Sequence, residues 1–386
     1  MRIVPVDKLK PGQQIGRVLM DETGRVLLNK GVRLTESYIA ILRGKCYRQV
    51  CIQDAHEGDI EVECEEDLSP ALRSFALHTI RTAFQDIEKE LDVLRDASLD
   101  DVAKVCSSDH IQALMGTTGP LASVHEVVSQ ILNEVMTRST LAGLTSIKGQ
   151  DARLFDHSID VCVVAIMIGH TVHLRGAHLN ELATGCLLHD IGMLFVRRGL
   201  DERQRIRHHT KLGYELLRSS PNPDLMAPHV AYEHHEHQDG TGLPRGLKST
   251  NTLRRERGGG TPVPALIGEI AAVANVYDNL LSGDEHRPPM APDEALAEMG
   301  RQAGTILNRE VVSSFRRVVP VYPRGTQVVL RGEPYNNFLG IVSRVDPDHL
   351  DRPAVILVRD GRRKRITPTE IQTGALPKVQ LHSVGI

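Results

Sequence analysis

Residues 230–247 read VAYEHHEHQDGTGLPRGL. Two adjacent histidines, His234 and His235, are closely followed by Glu236 and Asp239 and by three glycines. Neutral imidazoles and carboxylates are ligands that first-row divalent metals accept, and glycine lets a backbone turn tightly beside an anionic group. The stretch therefore indicates a metal site beside a tight turn. The alternative from these residues alone is a capped helix that ends in an ordinary turn.

Further histidines lie upstream of this stretch, in apolar surroundings typical of helices. The helices of a bundle can direct imidazoles and carboxylates at one point. Since neighbours on a helix are about 100° apart, an adjacent His-His or His-Asp pair suits a helix end or two nearby metals. A bridging carboxylate holds two ions roughly 3.5 to 4 Å apart. The residues that we expect to converge are His157 on an apolar helix, the pair His189-Asp190 that closes another, His209 that opens a third, and the pair His234-His235 that ends a fourth.

The hydrophobic pattern changes twice along the chain. Between residues 119 and 318, apolar residues recur every three to four positions, which is typical of α-helices. Residues 1–60 and the segment after Pro320 instead alternate β-branched residues around turns. We therefore expect a mainly α protein, with an all-α helical bundle and a small β-rich module at either end. The predicted domains are 1–60 (β-rich module), 61–118 (acidic segment and linker helix), 119–318 (helical domain) and 319–386 (β-rich module).

A long linker helix is predicted from about Pro70 to Leu94, with an apolar stripe at three- and four-residue spacing. The stripe fits either packing within the same domain or a coiled coil between two copies. It is shorter than the roughly three heptads that indicate a coiled coil, so we favour packing within the chain. A homodimer through this helix is the alternative. The stripe residues are Leu77, Ile80, Phe84, Ile87, Leu91 and Leu94.

Composition restricts the classes of partner. The formal net charge is −3 and aromatic residues make up 3% of the chain, so we expect no nucleic acid partner. Basic residues cluster at 245–257, where they either attract phosphate or are simply exposed, and at 359–365, where we expect exposure. The longest apolar run, residues 161–169, is about half the length of a membrane helix, and the first residues lack a signal-peptide core. We expect a cytoplasmic protein without a membrane segment.

Five segments carry the chemistry in a characteristic order and spacing. They are His157-Ser158, LLHDIG at 187–192, HTKLGYELL at 209–217, HHEHQDGTGLPRGL at 234–247 and VANVYDNL at 273–280. Together they resemble the HD-GYP subgroup of the HD metal-dependent phosphohydrolases, over about residues 119–318. The resemblance implies an all-α domain with two or three metal ions, usually iron or manganese. It also implies hydrolysis of cyclic di-GMP to linear pGpG and sometimes to GMP, in bacterial second-messenger signalling.

The resemblance also assigns roles, residue by residue. Asp190 is the expected catalytic carboxylate, bridging two ions. Glu236 and Asp239 are expected to orient the site or its loop. The expected substrate-binding residues are Gly242, Arg245 and Arg287. The expected metal ligands are His157, His189, Asp190, His209, His234, His235 and Asn275.

Four positions depart from the family pattern. Met193 replaces the lysine of the HDxGK motif, and methionine neither carries charge nor donates a hydrogen bond. Asn275 replaces a metal-binding aspartate with a neutral and weaker donor. Arg153 stands where three-metal members carry glutamate, so we expect at most two ions. Leu243 replaces the tyrosine of the GYP signature.

Two functions of different classes follow. The first is a phosphodiesterase that holds two divalent ions, iron or manganese, and hydrolyses cyclic di-GMP. The second is a degenerate HD-GYP module that binds a cyclic dinucleotide or a partner protein without turnover. A nucleotide phosphohydrolase from another HD branch would not need the segment 234–247. Because six strong ligands remain and only Asn275 is weakened, we favour retained metal binding and the phosphodiesterase.

Overall fold

The structure is a computed structural model, and it describes most of the chain. The described residues are 2–16, 18–20, 25–45, 47, 49–53, 66–91, 94, 101–116, 119–142, 153–197, 199–220, 226–254, 262–283 and 287–384. Three parts of the sequence predictions lie outside them: the acidic residues 61–65, Arg255 with Arg257 of the first basic cluster, and the side chain of Arg153.

The N-terminal residues form a small β-rich unit with an apolar core of its own. Its elements are β1 (Arg2–Pro5), β2 (Gln14–Ile15), β3 (Leu19–Met20), β4 (Val26–Leu28), α1 (Glu36–Gly44) and β5 (Gln49–Gln53). Strand β5 pairs antiparallel with β1 and with β2, and β3 pairs with β4. Thr35 caps α1 by accepting a hydrogen bond from the Tyr38 N–H, and the helix buries Ile39 and Leu42 in the core of the unit.

Helix α2 (Pro70–Glu90) follows this unit in the chain and packs on the bundle. Ser69 caps it, and Pro70 lies in the first turn, where no backbone N–H is needed. Of the predicted apolar stripe, Leu77 is partly buried and the other residues are buried in the core of the same chain. The prediction of packing within the chain is therefore confirmed. The stripe does not offer a surface to a second copy, and the helix ends before the predicted Leu94.

The bundle follows the helical pattern of the sequence, with additions. Two short helices before it, α3 (Val102–Cys106) and α4 (Asp109–Leu114), were not predicted. They are too short for a hydrophobic period to be recognised. The bundle helices are α5 (Ala122–Val135), α6 (Arg153–Thr171), α7 (Ala177–Leu188), α8 (Glu202–Arg218), α9 (Ala227–Glu233), α10 (Leu266–Ser282), α11 (Pro292–Gln302) and α12 (Arg309–Phe315).

Helix α6 is the centre of the bundle. Every residue from Val161 to Ile168 is buried, and the helix packs against α7 and α10. Among the described helices, the segment Leu154–Thr171 has the length and apolar composition to cross a membrane, but 78% of it is buried inside the protein. This extent of burial is typical of the core helix of a protein, because a helix that is apolar on all sides must be covered by other elements on all sides.

Helix α8 corrects one prediction, because His209 does not open it. The helix begins at Glu202, where Asp201 and Gln204 form a capping box. The first turns are charged and show little apolar periodicity, which is why the pattern placed the start too late. His209 is therefore buried in the middle of the helix, where its direction is fixed.

The C-terminal residues form an antiparallel five-stranded sheet in the order β10-β6-β7-β8-β9. Its strands are β6 (Gln327–Arg331), β7 (Leu339–Asp346), β8 (His349–Arg359), β9 (Arg365–Gln372) and β10 (Gln380–Ser383). The Tyr322 hydroxyl donates to the Leu381 carbonyl across its core, at 2.5 Å. The basic cluster at 359–365 lies on the turn between β8 and β9, and Arg362, Arg363 and Lys364 are exposed there, as predicted.

The chain is mainly helical, with small sheets near both ends. Its buried apolar residues fall into one large cluster from Leu68 to Val319, one N-terminal cluster and two that belong to the C-terminal sheet. The predicted domain limits at residues 60, 118 and 318 stay a prediction.

Candidate metal centre

Six side chains from four helices lie close together in the bundle. They form two groups, and within each group one ligand atom per residue lies within 4.8 Å of the others. His157 comes from α6, the pair His189-Asp190 follows α7, His209 comes from α8, and the His234-His235 pair follows α9. The first group is His157, His189 and Asp190, and the second is His209, His234 and His235.

Gly192 allows α8 to approach the end of α7. A Cβ atom added to Gly192 would lie 2.0 Å from the His209 carbonyl oxygen and 2.8 Å from the Gly213 nitrogen. Any larger residue would push the two segments apart. This contact brings the His209 Nε2 atom to 3.5 Å from the Asp190 Oδ1 atom.

Hydrogen bonds to backbone carbonyls orient three of the imidazoles. Each donates its Nδ1 proton to a carbonyl three or four residues earlier: His189 to Cys186 at 2.8 Å, His209 to Arg205 at 2.9 Å and His234 to Val230 at 3.0 Å. A carbonyl oxygen can only accept, so the Nδ1 atom carries the proton in all three rings. In the neutral ring the Nε2 atom then keeps its lone pair, which is the form that binds a metal.

Asp278 orients the fourth imidazole. Its Oδ2 atom lies 2.6 Å from the His157 Nδ1 atom, and both side chains are buried. A carboxylate paired with Nδ1 directs the Nε2 lone pair outward and makes it more basic. From the sequence we assigned no role to Asp278. Its partner lies 121 positions away, so no local pattern could show the pair.

The Nε2 atoms point at one another without a proton between them. The His209 and His234 Nε2 atoms are 3.3 Å apart, and the His189 Nε2 atom is buried without a hydrogen-bond partner. Facing lone pairs repel unless a cation lies between them. Metal–nitrogen distances of about 2.0–2.1 Å would place two ligands of a tetrahedral ion roughly 3.3 Å apart. The donor set therefore fits first-row divalent metals.

The electrostatics of the cluster also favour a cation. Burial, reinforced by neighbouring imidazoles, lowers the pKa of His234 well below its usual value and that of His235 to about 3. Burial also lowers the pKa of His209, although Asp190 opposes it. These rings are neutral at neutral pH. Burial is the largest influence on Asp190 and works against its ionisation, but His189, His209 and His234 together outweigh it, so the pKa of Asp190 is well below its usual value.

The loop after the His234-His235 pair is held by Glu236. Its two carboxylate oxygens accept hydrogen bonds from the Arg245 N–H at 2.7 Å and the Leu247 N–H at 2.8 Å. A Cβ atom at Gly242 would lie 2.2 Å from the His237 nitrogen, so the backbone closes on itself there. Asp239 instead accepts hydrogen bonds from the N–H and the hydroxyl of Thr241, two residues later. The loop is fixed beside the centre.

Arg245 lies in a pairing that sequence reasoning missed. Its guanidinium binds Glu233 and stacks 4.9 Å from the centre of the Tyr232 ring. Glu233 is buried and also accepts from the Ala265 N–H at 2.5 Å, just before α10 begins. The sequence feature that could have indicated this pairing is Glu233, an acidic residue directly before the His234-His235 pair. A third of the Arg245 side chain stays exposed.

Arg287 and Asn275 lie on either side of the end of α10. Arg287 is exposed beyond it, where its charge helps to lower the pKa of Glu298, after hydrogen bonds from Gln302 and Arg301. Asn275 is buried one turn before Asp278, and its Oδ1 atom accepts from the Asn279 amide at 2.9 Å. The structure thus brings six predicted ligands together and puts Asn275 next to the residue that orients His157.

Comparison with known proteins agrees with this centre. Residues 154–280 match the family model described as HD domain. The chain is 26% identical over 269 residues to a cyclic di-GMP phosphodiesterase of Pseudomonas aeruginosa, covering 67% of this chain and 61% of the relative. It is 28% identical over 189 residues to a cyclic di-GMP phosphodiesterase of Thermotoga maritima, covering 45% of this chain and 48% of the relative. Residues 154–280 therefore contain an HD domain, and the relatives agree with the HD-GYP resemblance of the sequence.

The chain spans only 61% and 48% of the lengths of these two relatives. Among solved structures, an HD-GYP-like protein from Bdellovibrio bacteriovorus aligns with a TM-score of 0.43 and 16% identity. That alignment covers 81% of this chain and 97% of the other.

Two HD-GYP signature positions differ in ways that the structure makes concrete. Met193, at the lysine position, lies half-buried in the 3₁₀ helix Ile191–Phe195 that follows Asp190. Leu243, at the tyrosine position, is buried, and its N–H donates to the His235 carbonyl at 2.9 Å. The loop therefore keeps its backbone fold, while both side chains lose the polar groups of the signature.

Proposed function

We propose that this protein is a metal-dependent phosphodiesterase that hydrolyses cyclic di-GMP. One observation carries the proposal: Asp190 faces both ligand groups. Its Oδ2 atom lies 3.4 Å from the His189 Nε2 atom, and its Oδ1 atom lies 3.5 Å from His209 Nε2 and 3.7 Å from His234 Nε2. A carboxylate shared by two groups of imidazoles is the arrangement of a two-metal site for phosphoryl transfer.

We propose two divalent cations, iron or manganese, as the cofactors. His157, His189, Asp190 and Asn275 would hold one ion, and Asp190, His209, His234 and His235 the other. Cations bound there supply positive charge for the phosphodiester and lower the pKa of water. The chain's own contribution is to fix the ligands. Three carbonyls and Asp278 set the ring directions, and the Asp190 carboxylate serves both groups.

The fixed loop supports the assignment of substrate contacts. Glu236 and the close packing at Gly242 hold the backbone of residues 236–247 beside the ligands. Arg245 and Arg287 each keep exposed surface, so we propose both, with Gly242, as contacts of the phosphates. We further propose the domain limits given above and a cytoplasmic location.

Met193 favours a second candidate, which is binding of a cyclic dinucleotide or a partner protein without turnover. A thioether cannot neutralise charge that develops on phosphate. An assay of the full chain decides between the two. Cyclic di-GMP is incubated under anaerobic conditions with Fe²⁺ or Mn²⁺, products are separated by chromatography, and binding is measured by calorimetry. The appearance of pGpG or GMP supports the enzyme, whereas binding without product supports the second candidate.

A further inference from the structure

A second buried charge cluster lies on α6, next to the metal centre. The Arg73 guanidinium of α2 binds two carboxylates of α6: Nη1 lies 3.3 Å from Asp156 Oδ1, and Nη2 lies 2.6 Å from Asp160 Oδ1. The side chain of Asp160 is fully buried, and that of Asp156 is 9% exposed. A planar guanidinium that binds two acceptors with different nitrogens fixes their geometry as well as their charge.

The two carboxylates bracket His157 along α6. Asp156 and Asp160 are four residues apart, so they lie on one face, one turn from each other. His157 is about 100° round the helix from Asp156. Two contacts one turn apart on one face set the rotation of a helix about its axis. The same rotation sets the direction in which His157 leaves the helix.

We propose that Arg73 is a positioning residue for the metal centre, fixing the rotation of α6 and thereby the His157 imidazole. The inference rests on the proposed function, because it takes His157 as a metal ligand. A helix with side chains is about 10–12 Å wide, so a rotation of roughly 20° moves a side-chain tip by about 2 Å. Metal–ligand distances tolerate only about 0.2 Å. A small rotation is therefore enough to remove His157 from the site.

The start of α2 is itself anchored, so Arg73 projects from a fixed point. The Ser69 hydroxyl donates to Glu134 of α5 at 3.0 Å, and the Asp67 Oδ1 atom accepts from the Ala142 N–H at 2.6 Å. Helix α2 also follows the N-terminal unit directly in the chain. The ion pairs of Arg73 therefore connect α2 to the turn of α6 that carries His157.

Three variants of the full chain test the role of Arg73. R73K keeps the charge but loses the planar fork that binds both carboxylates. The triple variant R73M/D156N/D160N removes the guanidinium together with the two carboxylates that it pairs with, so that neither of these partners is left charged and unpaired. R81M is the matched control, because Arg81 lies on the same helix and also contacts α6, through the Phe155 ring at 5.6 Å, whereas the Asp156 and Asp160 carboxylates pair with Arg73.

The first readout is the tautomer of each imidazole in metal-free protein, by NMR of ¹⁵N-labelled histidine, with H157Q to assign His157. In R73K and the triple variant, we expect the Nδ1–H signal of His157 to shift or to become a mixture of tautomers. The Nδ1–H signals of His209 and His234 should be unchanged in these variants, and all three signals in R81M should match those of wild type. An unchanged His157 in both variants overturns the inference. A joint change of all three histidines also overturns it, because that indicates general destabilisation.

The second readout is Mn²⁺ binding by calorimetry. We expect at least a tenfold loss of affinity at one of two sites in R73K and the triple variant, and none in R81M. Wild-type affinity at both sites in the variants overturns the inference and leaves the proposed function standing. If wild type binds no Mn²⁺, the proposed function fails, and the spectra of metal-free protein still decide the role of Arg73.

Discussion

The Nε2 atoms of His209 and His234 lie 3.3 Å apart, and each ring already donates its Nδ1 proton to a backbone carbonyl. Neither ring has a proton to offer the other while it is neutral. The backbone therefore holds two lone pairs against each other, in a cluster where burial keeps the rings neutral. Such a cluster is costly when empty and favourable when a cation occupies it.

Metal binding should therefore stabilise the fold. At a concentration of free Mn²⁺ 100 times the Kd, binding adds about 2.7 kcal/mol to the free energy of unfolding. For a domain of this size, that corresponds to a rise in Tm of roughly 5–10 °C. Differential scanning calorimetry of metal-free protein with and without Mn²⁺ measures it. H234A should lose most of the rise, and an equal rise in H234A would place the bound ion elsewhere.

Asp278 should matter for metal affinity through its hydrogen bond to His157. D278N keeps the shape but removes the negative charge that orients the His157 ring, so we expect affinity for Mn²⁺ to fall by about 10–100-fold. E298Q, a carboxylate change at a partly exposed position on α11, is the control and should bind as wild type does. Calorimetric titration compares the three proteins. Equal affinities would show that the hydrogen bond does not tune His157.

Asn275→Asp should raise the affinity for metal, in contrast to D278N. Aspartate keeps the acceptor that Asn279 uses and adds a negative charge to the site, which strengthens binding of a dication. Elemental analysis after identical loading, followed by challenge with a chelator, measures the gain. N133D places the same charge on the exposed side of α5 and should have little effect. If both variants resist the chelator equally, the gain comes from general charge and not from coordination.

Gly242→Ala should destabilise the protein by about 1–3 kcal/mol, because the added Cβ would lie 2.2 Å from the His237 nitrogen and backbone must move. Gly44→Ala is the control, since nothing lies within 4 Å of the added atom. Urea unfolding of both proteins gives the free energies. A neutral effect of G242A would mean that the loop can relax and that glycine there serves approach of a ligand instead.

The sequence predicted the metal-ligand cluster better than it predicted the contacts that hold the ligands in place. The His189-Asp190 and His234-His235 pairs lie at helix ends because adjacent ligands cannot share one face of a helix. His209 was placed wrongly, at a helix start, because charged residues hide the first turns of α8. Supporting contacts join residues far apart in sequence, such as Arg73 and Asp160, which are 87 positions apart. Hydrophobic periodicity describes local structure and does not predict contacts between residues so far apart in sequence.

Turnover itself should depend on Asp190 and Met193 in opposite ways. D190A removes the carboxylate that faces both ligand groups, so we expect no hydrolysis of cyclic di-GMP and loss of bound metal. M193K places a charge in the middle of the 3₁₀ helix that follows Asp190, and a lysine aimed at phosphate should raise a slow rate by about 10²-fold. S129K adds the same charge on the exposed side of α5 and should leave the rate unchanged.

Chromatography gives the rates of these proteins, and calorimetry gives their affinities for the dinucleotide. Under the binding-only candidate, wild type binds cyclic di-GMP without product and D190A changes the affinity only modestly. Tight binding with no product even in M193K would contradict the phosphodiesterase, because that variant has the charge whose absence is the physical reason for slow catalysis. Product in M193K but not in wild type would show that the ligand cluster is intact and that position 193 alone separates a binding module from an enzyme.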